Sequence, residues 1–402
     1  MKRRVLPLLS AAAVCLIAGL AWSLVKVDLT YQDFKDASDQ LAGIGKQWTN
    51  RLGTTPPVKG APGDLSDKAA YFRVQMAGKR VLFVIDPADP GDPSDPPKLY
   101  LDSDVDLDFS DEKAVTGEKT GEEQCRFGPL TIKDPKDKDG RELRLAVMVY
   151  IQNGYPTYAM LTAPGSYAGT AKLGDKEYTI ALVDGDLDGR YGGAGARPGA
   201  QGQDILAIDQ NQDGRFQGEA FEIMPAGAMA RVGGAYYDLV VEADGSAVTF
   251  TPSSLPLGTL KVASPTVELA LTSPKGYLPL EAGVGSWSVP AGTYTVASLR
   301  LTTTDKDGNR WTLDATRLPG DLARVTIEAG KETVISFGPP LTLKLDVTTN
   351  QRNVSVTPTL AGQAGEPYLA AATKNGEQLG APKVRIVDEK GKELHTGTFA
   401  YG

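Results

Sequence analysis

Short apolar runs alternating with polar positions dominate this chain. Leu143, Leu145, Val147, Val149 and Ile151 fall on one side of a period-two pattern, which predicts a strand with that side buried. The runs 71–76 and 81–86 flank Ala77-Gly-Lys-Arg80 and predict a hairpin. Farther on, Val267-Glu-Leu-Ala-Leu271, Trp287-Ser-Val289, Tyr294-Thr-Val296, Trp311-Thr-Leu313 and Val325-Thr-Ile327 predict a β-sandwich. A last hairpin is expected from Val384-Arg-Ile-Val387 and 393–399, around Glu389-Lys-Gly391. One segment reads differently. Tyr31, Phe34, Leu41, Ile44 and Trp48 recur at helical spacing, with Thr30 as N-cap and Leu29 and Phe34 placed as a hydrophobic staple, so a short amphipathic helix is expected. Its polar side carries Asp33, Asp36 and Asp39, which favours packing on a neighbouring domain over lying on a membrane.

The expected fold class is therefore mainly β and multidomain, with one short N-terminal helix. At 402 residues the chain exceeds the size of a single core, and its 45 Gly and 27 Pro supply the tight connections that many short strands need. Five parts are expected: a signal peptide or N-terminal anchor over 1–25, the amphipathic helix and a Pro/Gly linker over 26–63, and a β-rich domain over 64–256. A β-sandwich over 257–340 and a small β unit over 341–402 follow, with Pro339-Pro340 as the break between them. The Pro-rich stretch 86–97 offers too few backbone donors to join a sheet and is expected to be an exposed loop.

Lys2, Arg3 and Arg4 precede an uncharged run over 5–25, with Gly19 and Ala21 suited to signal peptidase. The run is also long enough to anchor the chain in a bilayer if it is kept. Cys15 is a poor lipidation site because Val14 stands where a small residue is wanted. A secreted, periplasmic or cell-surface location follows. Cleavage would remove three positive charges and take the formal charge from −8 to −11, which makes nucleic acid and anionic lipid surfaces poor partners and divalent cations good ones. Cys125 would then be the one remaining cysteine, which excludes an intramolecular disulfide and points to a buried, inert thiol.

Candidate chemistry lies in an acidic loop written three times: Asp102-Ser-Asp104-Val-Asp106, Asp184-Gly-Asp186-Leu-Asp188-Gly189 and Asp209-Gln-Asn211-Gln-Asp213-Gly214. Oxygen side chains at positions 1, 3 and 5, with Gly at position 6, are how a short segment wraps calcium. Arg190 and Arg215 stand at position 7, where such a loop offers a backbone carbonyl. Two carboxylates about 4 Å apart repel by roughly 4 kcal/mol at an effective dielectric near 20, so three converging on one point call for a cation. Apolar lead-ins match in the second and third copies, Ala181-Leu-Val183 and Leu206-Ala-Ile208, and position 8 is aromatic in all three: Phe109, Tyr191 and Phe216. Position 12 lacks its bidentate Glu in each copy, although Glu112, Glu219 and Glu222 are near enough to substitute. An incomplete ligand set implies weak binding, about 10⁻⁴ to 10⁻³ M, as in extracellular modules. Leu107 takes the place of the position-6 Gly, and Leu resists positive φ, so the first loop is expected to be the poorest site.

On these dozen residues per copy, the loops resemble those of EF-hands and of bacterial dockerin-type calcium modules. The flanks depart from the dockerin pattern, since 192–202 is Gly-rich and Phe221-Glu-Ile-Met-Pro225 is strand-like. A leader followed by strands carrying such loops resembles the order found in uncharacterised secreted bacterial proteins. Val289-Pro-Ala-Gly-Thr-Tyr-Thr-Val296 is similar to the strand-turn-strand phrase of transthyretin-like, carboxypeptidase-regulatory-type sandwiches, which implies a spacing or stabilising domain without catalytic residues.

Catalytic constellations are sparse. The single histidine, His395, sits in an expected hairpin, so neither a zinc site nor a Ser-His-Asp triad has support, and no P-loop or dinucleotide fingerprint is present. Trp287 and Trp311 are expected in a core, each sharing a strand side with an apolar residue, Val289 or Leu313. The reading is a non-enzymatic envelope protein that binds calcium structurally. Two alternatives stand beside it: a protein that binds or cleaves envelope polysaccharide, marked by exposed aromatics and a carboxylate pair outside the loops, and a surface adhesion module that meets another protein. An open strand edge or apolar patch on the C-terminal sandwich favours adhesion.

Overall fold

The structure is a computed structural model that describes residues 23–35, 41–42, 44–45, 47–53, 60, 62–63, 65–87, 96–138, 140–192, 203–216, 222–262, 267–280, 285–315, 320–350, 353–368 and 372–399. The leader, Glu219 and most of the Pro-rich stretch lie outside these residues. Among the described residues the regular structure is β, apart from a single 3₁₀ turn, Gly320–Ala323. No helix among them is long and apolar enough to cross a membrane.

Residues 25–252 build three stacked sheets. A nine-stranded sheet runs in the order Val115–Thr116, Lys98–Leu101, Lys79–Asp86, Ala70–Met76, Gln47–Gly53, Tyr155–Thr162, Leu143–Gln152, Gln124–Ile132, Glu118–Gly121. A five-stranded sheet is ordered Ile223–Pro225, Ile205–Ile208, Lys176–Val183, Gly165–Leu173, Thr30–Asp33. The third sheet contains Val25–Asp28, Ala247–Pro252, Ala235–Val241 and Met229–Val232. The five-stranded sheet is the middle layer. Its Ala181, Val183 and Ala207 join a core with Phe72, Phe83, Leu145 and Val147 of the nine-stranded sheet. From the opposite side Ile180, Leu182, Leu206 and Ile208 join Val27, Tyr237 and Phe250 of the third sheet. Where the layer is covered on both sides it needs apolar residues at successive positions, which is why Ile205–Ile208 and the end of Lys176–Val183 read as unbroken apolar runs and not as alternation.

The expected hairpin at 71–86 is present as Ala70–Met76 and Lys79–Asp86, with Ala77 and Gly78 both at positive φ, the turn that matches strand twist. Cys125 is buried, and burial pushes its thiol pKa up.

Among the described residues the expected N-terminal helix is absent, and the segment supplies the strands Thr30–Asp33 and Gln47–Gly53 instead. Thr30–Asp33 pairs with Gly165–Leu173, placing Tyr31 opposite Tyr167, and Gln47–Gly53 is inserted between Tyr155–Thr162 and Ala70–Met76. Phe34 and Leu41 do reach the main core, but Trp48 is 52% exposed, so the five apolar residues share no common side. Three Asp, Gly43 and Gly45 make the segment a weak helix former, and distant strands offer its backbone a full ladder. The segment at 26–63 is thereby woven into all three sheets.

Beyond residue 256 a second core forms around Leu260, Leu269, Leu271, Trp287, Val289, Tyr294, Leu299 and Phe337. It is covered by a sheet ordered Ser286–Pro290, Leu257–Val262, Glu332–Ile335 and by a larger one containing Gly276–Leu280, Val267–Ser273, Gly292–Thr304 and Arg310–Ala315. The larger sheet crosses residue 340, continuing through Pro367–Tyr368 and Asn353–Ala361 to Thr342–Asn350. Lys383–Val387 and Glu393–Thr398 form a separate hairpin. Trp287 lies in the core as expected. Trp311 is half-buried at its margin, its Nε1 donating to Asp305 Oδ2 at 2.8 Å in the hairpin turn.

Candidate metal centres

Each acidic loop begins at the residue that directly follows a strand: Asp102 after Lys98–Leu101, Asp184 after Lys176–Val183, and Asp209 after Ile205–Ile208. The strand end turns that first carboxylate inward, and the three aspartates are 0%, 5% and 4% exposed. The second and third loops leave the antiparallel pair Lys176–Val183 and Ile205–Ile208 at opposite ends, because Val183 faces Ile205 and Ile180 faces Ile208. They therefore do not form a side-by-side pair.

The backbone follows one course in all three copies. At position 4, Val105, Leu187 and Gln212 have φ of 61°, 58° and 62°, and at position 6, Leu107, Gly189 and Gly214 have 69°, 73° and 80°. Leu107 thus adopts the conformation that Leu resists, holding the first loop in the same shape as the others. The position-5 amide donates to the first carboxylate at 3.0, 3.1 and 3.2 Å, from Asp106 to Asp102, Asp188 to Asp184, and Asp213 to Asp209. It also donates to the position-3 side chain, at 3.3 Å for Asp104, 3.2 Å for Asp186 and 2.9 Å for Asn211. The position-7 amides of Asp108, Arg190 and Arg215 bind Asp106, Asp188 and Asp213. Gly189 and Gly214 close their loops on the other oxygen of Asp184 and Asp209, both at 2.9 Å. In the first loop Asp102 Oδ2 is buried without a hydrogen-bond partner.

A further carboxylate from outside positions 1, 3 and 5 braces each loop through the amide at position 2. Ser103 N donates to Glu112 at 2.6 Å, Gly185 N to Asp204 at 3.1 Å, and Gln210 N to Glu222 at 2.9 Å. Glu112 and Glu222 were the expected substitutes for position 12. Asp204, 20 residues beyond the start of its loop, was not anticipated, and no spacing rule points to it. It reaches the loop because Gly185 lets the backbone of Gln203 approach so closely that a Cβ at 185 would lie 1.5 Å from the Gln203 carbonyl oxygen. Gln47 and Gln203 each hold a buried Oε1 without a hydrogen-bond partner, and the Gln47 amide donates to the Asp186 carbonyl at 3.4 Å. The aromatic position 8 packs under its loop as expected: Phe109 is buried against Tyr71, Tyr191 meets Tyr167 edge-on, and Phe216 packs on the main core.

Two of these groups, Asp102 with Asp104 and Asp106, and Asp184 with Asp186 and Asp188, bring three carboxylate oxygens within 4.8 Å of one another and can hold a metal ion. The third group has Asn211 in place of one carboxylate and shares the same loop course. Electrostatics agree with an all-oxygen cation site. Burial pushes Asp184 up to about 8, with Asp204, Asp186 and Asp188 adding to the rise, and burial pushes Asp204 up to about 7, with Asp186 and Asp188 adding. Asp102, Asp186 and Glu112 are also raised, each chiefly by burial. A carboxylate that holds its proton for lack of a positive neighbour exchanges that proton for a cation.

Outside the three loops, Asp305-Lys-Asp-Gly308 forms a hairpin turn, with Gly308 N donating to Asp305 O at 3.0 Å. The chain matches no family model, no curated protein and no solved structure.

In the metal-free folded chain Asp184 and Asp204 keep protons that the unfolded chain releases near pH 4, so stability is fullest below that pH and falls as pH rises through about 7 to 8. In chelator, the melting temperature is expected to be lower at about pH 8.5 than at about pH 5.5; a flat or rising profile would contradict the raised values. Leu107→Gly is expected to stabilise the chain by up to about 1 kcal/mol, because it removes left-handed strain from a residue that is 37% exposed. A shift of the urea midpoint to higher concentration at unchanged slope is the check.

Proposed function

We propose that this is an exported, non-enzymatic envelope protein whose three-layered body is tied together by calcium, one ion per acidic loop. A single observation carries the reading: three separate loops share one backbone course, each with its first carboxylate buried at a strand end and a further carboxylate behind it. Acidic surface turns have no reason to agree in this way. Oxygen-only ligands in a flexible loop suit calcium, whereas magnesium demands strict octahedral geometry and keeps several waters. The positive leader and acidic remainder support export to a calcium-rich compartment. His395, the sole histidine, is exposed on the terminal hairpin, which supports a non-catalytic role.

Calcium titration calorimetry and thermal unfolding, on the wild type and on Asp209→Ala with Asp213→Ala, test this reading. Saturable heat and a calcium-dependent rise in melting temperature, both reduced in the double variant, are expected. Absence of both in the wild type would reduce the loops to acidic turns.

A second reading, recognition of envelope polysaccharide, is favoured by an aromatic cluster on the nine-stranded sheet. Trp48, half exposed, lies 5.6 Å from Tyr158 and 6.0 Å from Tyr150, and the two tyrosines stack at 4.3 Å. Such a platform suits the apolar side of a sugar ring. Trp48→Ala is expected to lower retention of the protein on insoluble envelope polysaccharide by about tenfold, the worth of one stacking side chain. Equal retention of wild type and variant would remove this reading.

A further inference from the structure

The strand Thr342–Asn350 ends the larger C-terminal sheet, pairing with Asn353–Ala361 on one side and with no described strand on the other. All nine of its residues are exposed. Leu343, Leu345 and Val347 project to one side, opposite Leu360, Pro358 and Val356, and Leu343, Leu345, Val347 and Val354 are 63%, 53%, 58% and 54% exposed. Lys344 and Asp346 project to the other side. A two-stranded ribbon standing alone in water is marginal, and an open edge with an apolar side is a template for another strand.

The order of residues on this edge is self-complementary. Antiparallel pairing of two such strands about a two-fold axis at Leu345 sets Lys344 opposite the partner's Asp346, and Asp346 opposite the partner's Lys344. On the other side Leu345 meets the partner's Leu345, and Leu343 meets the partner's Val347. Asn350, at the end of the strand, then falls opposite the partner's Pro340, where the chain leaves the sandwich, so the ribbon end reaches the body of the second copy. We propose that a second copy of this chain is the occupant of this edge, in an isologous dimer that joins the two C-terminal sheets. Two cross-strand charge pairs, paired backbone groups and side-by-side apolar contacts hold it together. Its size is at the small end of specific interfaces, which implies micromolar association. The edge lies in the C-terminal sheet, away from the acidic loops, so this inference stands apart from the calcium reading.

Charge exchange tests it. Sedimentation velocity of the purified full chain in calcium, from about 1 to about 100 μM, is expected to show a monomer–dimer equilibrium. Asp346→Lys sets Lys against Lys at both positions and is expected to raise the dissociation constant by about tenfold or more. Lys344→Asp combined with Asp346→Lys re-creates two opposite-charge pairs and is expected to return it to within about threefold of wild type. Both residues are exposed, and far-ultraviolet circular dichroism checks that each variant is folded. A monomer throughout the range, a dimer indifferent to Asp346→Lys, or a double variant as weak as the single one would each overturn the proposal.

Discussion

The central constraint on this molecule is that carboxylates are buried where strands end. Asp102, Asp184 and Asp209 cannot be moved to the surface without breaking the strands that deliver them, since each is the next residue after an apolar run anchored in a core. A charge so placed needs a partner of opposite sign, and the surroundings offer mostly more carboxylates: Asp104 and Asp106, Asp186, Asp188 and Asp204, Asp213 and Glu222. Backbone amides at positions 5 and 6 offset part of the cost by donating to the buried oxygens. The remainder falls to protons or to a cation. That choice links loop order, pH and metal concentration in a single equilibrium.

The layered architecture explains why loop order reaches beyond the loops. Two of them leave the middle sheet, whose strands are packed from both sides, so a change in either loop acts on strands shared by two cores. The N-terminal segment adds to the coupling. Val25–Asp28, Thr30–Asp33 and Gln47–Gly53 give one strand to each of the three sheets, which makes the first described residues a thread through the whole body.

Strand positions were legible because period-two alternation and turn residues are local signals. Leu143–Gln152 and the 70–86 hairpin required only their own residues to be recognised. The N-terminal segment was not legible in this way, because Tyr31 and Trp48 are strand residues only by virtue of Tyr167 and Met160, more than a hundred positions distant. Site residues divide along the same line. Positions 1, 3 and 5 of each loop were visible as a repeat, and Glu112 and Glu222 were visible by proximity. Asp204, Gln47 and Gln203 were hidden, since a close backbone approach at Gly185 and a non-local strand bring them to the second loop. The cost of left-handed Leu107 was legible, but not the fact that the surrounding loop bonds hold it there.

The most direct measurement is anomalous diffraction at long wavelength from crystals grown in calcium. The account predicts three peaks, each about 2.3 to 2.6 Å from a carboxylate oxygen of Asp102, Asp184 or Asp209, with the position-3 and position-5 side chains turned toward it. Ordered loops without anomalous density, their outer side chains turned into solvent, would contradict it.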